Sequence, residues 1–249
     1  MKRRKLSGAY VTLHVDNAPD MDAFTVRAEG PGAGHPGIIV FQEAFGVNDH
    51  IRDVASRFAA LGFVAIAPEL YHRTAARVEG DYADFKALGP HFNALTNEGM
   101  VADIRAAFAW LVAQPDVDPA RIAAIGYCMG GRAAYLANAS VPLAASVSYY
   151  GGGIAPALLD RAPRLNGPQL LFWGGRDARI LPEHHHAVAD ALRAANKPFV
   201  NVEFSEADHG FFCDQRASYH APSARQSWAL TLQFLREHVG AFDADRTAL

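Results

Sequence analysis

Short apolar runs rich in β-branched residues alternate along this chain with segments whose apolar positions recur at helical spacing. Residues 9–15 and 23–28 alternate in the period of two expected of a half-buried hairpin. After the Gly/Pro-rich stretch 30–37, four consecutive apolar residues, Ile38-Ile39-Val40-Phe41, predict a strand buried on both faces. Asn48 is placed to cap a helix whose inner face is Ile51, Val54, Ala55, Phe58 and Leu61, with Gly62 where a terminating glycine belongs. Residues 63–67 predict the next strand, stopped by Pro68. The stretch 71–97 is irregular, broken by Gly80, Gly89 and Pro90, and is expected to run as a long excursion over the sheet edge.

A helix with Val101, Ile104, Phe108 and Leu111 inward follows, ending before Pro115. Strands are then expected at 121–127, 144–150, 169–173 and 199–204, and helices around 134–139, 182–195 and 223–239. The last of these helices should bury Trp228, Leu232 and Leu235. Regular alternation of strand and helix implies α/β architecture, a mostly parallel central sheet with helices on both faces, here with an antiparallel N-terminal hairpin. No repeat or linker divides the chain, so one domain is expected over 9–239, between a basic tail at 1–8 and a C-terminal tail at 240–249.

Composition narrows the function. With a net charge of −3, the 249-residue chain has no basic surplus to hold a nucleic acid. The start Met1-Lys2-Arg3-Arg4-Lys5 is basic, but no apolar run follows it. A solvated tail is therefore expected rather than a secretory signal. No stretch reaches the roughly 18 apolar residues of a membrane span. Two cysteines, Cys128 and Cys213, suit a reducing cytoplasm better than a disulfide scaffold.

The chemistry concentrates in three loops. Gly126-Tyr127-Cys128-Met129-Gly130-Gly131 joins an expected strand to an expected helix and has the pattern of a nucleophile elbow with cysteine in place of serine. The sharp reversal lifts the sulfur above the sheet, turns the Met129 amide towards a forming oxyanion, and sets the thiolate at a helix N-terminus. A small buried cysteine in a tight turn, or a phosphate-binding glycine turn, are the plainer readings. Asp177 follows the strand at 169–173, and His209 follows the one at 199–204. Nucleophile, acid, histidine is the chain order of α/β-hydrolases, with His209 moving the proton and Asp177 orienting its ring. Asp208 competes as the carboxylate but is more at home as a turn residue. His184-His185-His186 is expected to be a solvated helix start, because consecutive helical residues diverge. Cys213, four residues beyond His209, is expected in the core, since no CxxC or HExxH motif accompanies it.

On these residues the chain resembles the dienelactone hydrolase family (carboxymethylenebutenolidases). Further likeness lies in Gln42-Glu43-Ala44-Phe45-Gly46-Val47-Asn48, Pro68-Glu69-Leu70-Tyr71 and His209-Gly210-Phe211. The resemblance implies the α/β-hydrolase fold, a small ester or lactone substrate, and a triad of Cys128, Asp177 and His209. It implies also that Glu43 contacts the resting thiol and that the amides of Ala44 and Met129 form the oxyanion hole. Glu43 could equally be a carboxylate satisfied by loop amides. Members that act on dienelactone bind its carboxylate through arginines. Arg73 is the candidate here, with Arg216 further along the chain. No metal or organic cofactor is called for, and monomer and homodimer stay open. A broader-specificity esterase or thioesterase on the same fold is the rival enzyme, and a ligand-binding protein and a thiol redox sensor are the rivals from other classes.

Overall fold

In the computed structural model, which describes residues 5–30 and 32–242, a single eight-stranded sheet forms the centre. Residues 1–4 of the basic tail and 243–249 of the C-terminal tail lie outside the described residues. Strands β1 (Leu6–Leu13) and β2 (Met21–Ala28) pair antiparallel, with Tyr10 opposite Phe24. The hairpin thus begins at Leu6, inside the stretch assigned to the tail. Ser7 and Gly8 are poor strand formers, yet the ladder to β2 imposes the conformation on them. Next along the chain are β3 (His35–Phe41), helix α1 (Asp49–Ala60) and β4 (Val64–Pro68). β2 runs antiparallel to β4, and from β4 onward the sheet is parallel, in the order β1-β2-β4-β3-β5-β6-β7-β8.

Asn48 caps α1 as expected, its side chain accepting from the Ile51 N–H at 3.3 Å. The stretch 71–97 is more ordered than its sequence suggests. It holds a 3₁₀ turn at Phe85–Leu88 and the short helix α2 (Gly89–Asn93). It also folds back over the loop after β3 instead of only skirting the sheet edge. Gly80 N–H bonds the Phe45 carbonyl at 3.0 Å, Asn48 Nδ2 donates to Tyr82 Oη at 2.8 Å, and Arg52 pairs with Glu79 at 2.6 Å. Such long-range ties have no signature in local periodicity.

Helix α3 (Asn97–Val112) turns a slightly different face inward from the one read from its apolar residues. Met100, Asp103, Ile104, Ala107 and Leu111 are buried, whereas Val101 and Phe108 are only partly so. Asp103 distorts the apolar pattern because a paired carboxylate occupies a core position: it binds His72 at 3.0 Å and Arg73 at 2.8 Å. β5 (Val117–Tyr127) then leads into α4 (Met129–Asn138), followed by β6 (Ala145–Tyr149), β7 (Gln169–Gly174), α5 (Pro182–Ala194), β8 (Phe199–Phe204) and α6 (Ala221–Val239). Helices α1 and α6 cover one face of the sheet, where the Phe58 and Trp228 rings meet at 5.0 Å; α3 and α4 cover the other. Trp228, Leu232 and Leu235 are buried as expected.

Candidate active site

β5 stops at Tyr127 and α4 begins at Met129, so Cys128 alone makes the reversal, with φ 57° and ψ −119°. An L-residue is strained there, and the surroundings hold it in place. Cys128 N–H donates to the Tyr149 carbonyl at 3.0 Å, anchoring the elbow to β6. A Cβ on Gly126 would fall on the Gly130 carbonyl, and one on Gly130 on the carbonyls of Phe41 and Gln42. The glycines therefore let the first turn of α4 close on the end of β3. That approach brings Met129 next to Ala44: the Tyr71 hydroxyl donates to the Ala44 carbonyl at 2.9 Å and sits 3.9 Å from Met129 Sδ.

Asp177 and His209 meet above β7 and β8. Side chains at Gly174 and Gly175 would strike the backbone at Ala207 and Ser205, so this glycine pair lets the two loops touch. His209 Nδ1 lies 2.7 Å from Asp177 Oδ2, while Asp177 Oδ1 accepts from the Arg179 and Ile180 N–H groups at 2.8 and 3.1 Å. Asp208 instead accepts from the His209 N–H at 2.6 Å and serves the turn, as its position suggested. His209 Nε2 is buried and finds no hydrogen-bond partner among the described residues.

The electrostatics couple these groups. Burial pushes the Cys128 thiol up, but the charge of His209 beside it, with the Met129 N–H in support, brings it below its ordinary value; the charge on Glu43 opposes them. Burial alone would lower His209, yet the Cys128 charge and the Asp177 bond carry it up to about 10. Asp177 is raised by burial, then carried below the usual carboxylate range by His209 and the two loop amides. The arrangement favours a thiolate beside an imidazolium.

Glu43 is fully buried, and its Oε1 accepts from Arg216 Nη1 at 3.0 Å. Its other oxygen has no partner among the described residues. The carboxylate is thus held by an arginine, and its charge reaches the Cys128 thiol. Gly210, at φ 80°, makes this possible, because any side chain there would collide with the Arg216 guanidinium. The same guanidinium lies 5.5 Å from the Phe45 ring centre and 5.8 Å from that of Tyr82.

The profile of the dienelactone hydrolase family matches residues 21–239. The chain belongs to the dienelactone hydrolase family. An Escherichia coli K12 protein named "Putative carboxymethylenebutenolidase" is 36% identical over 237 residues, covering 90% of this chain and 84% of its own. The carboxymethylenebutenolidase of Pseudomonas sp. strain P51 is 32% identical, covering 86% and 90%. Among solved structures, a dienelactone hydrolase-like promiscuous phosphotriesterase from metagenomic libraries superposes with a TM-score of 0.83 at 28% identity, over 95% of this chain and 99% of that one.

Within this dienelactone hydrolase frame, two expectations change. Arg73 is committed elsewhere: it pairs with Asp103 and reaches the Gly99 carbonyl at 3.3 Å, at the start of α3. Arg216 occupies the place beside Glu43, and Gly210 at φ 80° is the trace that its folding back leaves in the sequence. His185 is not a solvated residue but is buried, stacked on Trp173 at 4.6 Å and 3.1 Å from the Ile180 carbonyl. It shares a helical face with Val188, Ala189 and Leu192. Tyr71 stood only within a segment of family likeness and Tyr82 was not singled out from sequence, since nothing local tells a tyrosine that braces a site from one that fills a core.

Proposed function

We propose that this hydrolase of ester and lactone bonds works through a thioester on Cys128, with His209 as proton carrier, Asp177 as its orienter and the amides of Ala44 and Met129 as the oxyanion hole. The observation that carries the reading is the buried His209–Asp177 pair, 2.7 Å long, beside a cysteine held at positive φ on a helix N-terminus. The thiolate attacks the acyl carbon, and the oxyanion that forms is met by the amides of Ala44 and Met129. His209 Nε2, unpartnered and buried, protonates the departing oxygen. It then takes a proton from the water that attacks the thioester, and Cys128 leaves as thiolate.

Thiol chemistry selects the substrate. A tetrahedral adduct on sulfur expels whichever group leaves more easily. Free cysteine has a pKa of about 8.5 and a phenol about 10, so an enol or phenol oxygen competes with sulfur where an alkoxide or amine does not. Enol lactones and aryl esters are the fitting substrates. A substrate carboxylate would compete with Glu43 for Arg216, which supports acidic lactones as the preferred class.

The test is a panel of lactones, aryl esters, alkyl esters and anilides, run with variants. Cys128→Ala should lose turnover while melting as wild type does, and iodoacetamide should label Cys128 as activity falls. His209→Ala should cost about 10²–10⁴-fold in kcat, and Asp177→Asn less. Full activity in Cys128→Ala, or efficient anilide cleavage, overturns the reading.

A further inference from the structure

His50, in the first turn of α1, is 2% exposed, and neither ring nitrogen has a hydrogen-bond partner among the described residues. Native proteins seldom bury an imidazole with both bonds unmade, because each lost bond with water is uncompensated. Two aromatic neighbours, Tyr127 at 5.9 Å and Phe212 at 6.1 Å between ring centres, meet it edge to face and offer no more than a weak π contact. What does face it comes from the loop after His209. A His50 ring nitrogen, Cys213 Sγ and an Asp214 carboxylate oxygen all lie within 4.8 Å of one another.

Nitrogen, sulfur and oxygen converging from two separate elements is a ligand set for a borderline-soft cation. Zinc takes imidazole, thiolate and carboxylate at about 2.0–2.3 Å in tetrahedral geometry, which sets ligand atoms roughly 3.3–3.8 Å apart. Closing from the observed spacing takes about an ångström, and Asp214, being exposed, has room to move. Magnesium or calcium would want more oxygens than this set has.

We propose that His50, Cys213 and Asp214 bind one zinc-type divalent cation, with water as the fourth ligand, at a site distinct from Cys128. On binding, the Cys213 S–H bond breaks, its proton passes to solvent and an S–Zn bond forms; no redox change occurs. An outer shell is already in place. The Tyr82 hydroxyl, 3.3 Å from Cys213 Sγ, can donate to the thiolate while its own oxygen accepts from Asn48 Nδ2 at 2.8 Å. Asp214 gives the ion its way in from solvent.

The test uses the full chain carrying Cys128→Ala, so that no second reactive thiol competes for metal. Zinc titrated against a chromogenic chelator should bind one per chain, and cobalt(II) should show a thiolate-to-metal charge-transfer band. Adding Cys213→Ser should abolish the band. His50→Phe or Asp214→Asn should each weaken binding about 10–100-fold. Asp214 is exposed, so its variant keeps the test open even if a buried substitution impairs folding. Absence of saturable zinc binding, a band that survives Cys213→Ser, or unchanged affinity in both His50→Phe and Asp214→Asn overturns the site.

Discussion

Cys128 sits between two opposing charges. His209 draws its thiol towards ionisation, and Glu43 resists. Removing either should shift the thiol in a known direction. In Glu43→Gln a negative charge is lost, so the pH midpoint for iodoacetamide alkylation should fall below that of wild type. In His209→Gln burial and Glu43 remain without the imidazolium, and the midpoint should rise above that of a free thiol. On the alkaline side, turnover should decline as pH passes about 10, where His209 gives up its proton. Midpoints that fail to move in opposite directions mean that the two residues do not control this thiol.

At the scale of elements, α1 shows how a cap can have two tasks. Asn48 accepts from Ile51 N–H with one side-chain atom and donates to Tyr82 with the other. It therefore joins the helix start to the segment folded over the loop after β3. Asn48→Ala should cost about 1 kcal/mol from the cap alone. Loss of the Tyr82 bond adds to this, so the melting temperature should drop by roughly 2–4 °C per kcal/mol lost. Faster proteolysis within 71–97, read by mass spectrometry, would show that the second task is real; unchanged cleavage there would assign Asn48 to the helix only. Cap and apolar face were both legible in the sequence. The bond to Tyr82 was not, since 34 positions separate the partners.

Across the whole molecule, distant parts of the chain are joined at a few polar points. Arg121, near the start of β5, donates to three backbone carbonyls: Gly34 before β3 at 2.6 Å, Val239 at the end of α6 at 2.5 Å, and Ala241 at 2.8 Å. Phe242 adds a ring contact to Phe63 at 4.9 Å, so the first residues assigned to the C-terminal tail pack on the domain. Arg121→Ala should destabilise by about 2–3 kcal/mol, in line with charge-assisted bonds that are partly exposed. Hydrogen exchange should quicken first at the end of α6. Protection there equal to wild type would mean that apolar packing of α6 suffices without the arginine.

What the sequence determined by itself was what local spacing controls. Apolar runs and glycine or proline breaks set out the places of all eight strands, with ends off by up to four residues, and the three loops bearing Cys128, Asp177 and His209 stood out because each follows a strand. The meeting of Asp177 with His209 could be anticipated from chain order, and the choice of Asp177 over Asp208 from adjacency. The partner of each charge was another matter. Arg216 and not Arg73 lies beside Glu43, Asp103 occupies the inner face of α3, and His185 is buried against Trp173. Periodicity reports which side of an element faces the core, but a charged or aromatic polar residue can enter the core once a partner neutralises or stacks on it. Those partners lie from 12 positions away, as with His185 and Trp173, to 173, as with Glu43 and Arg216, so only the folded chain decides which they are.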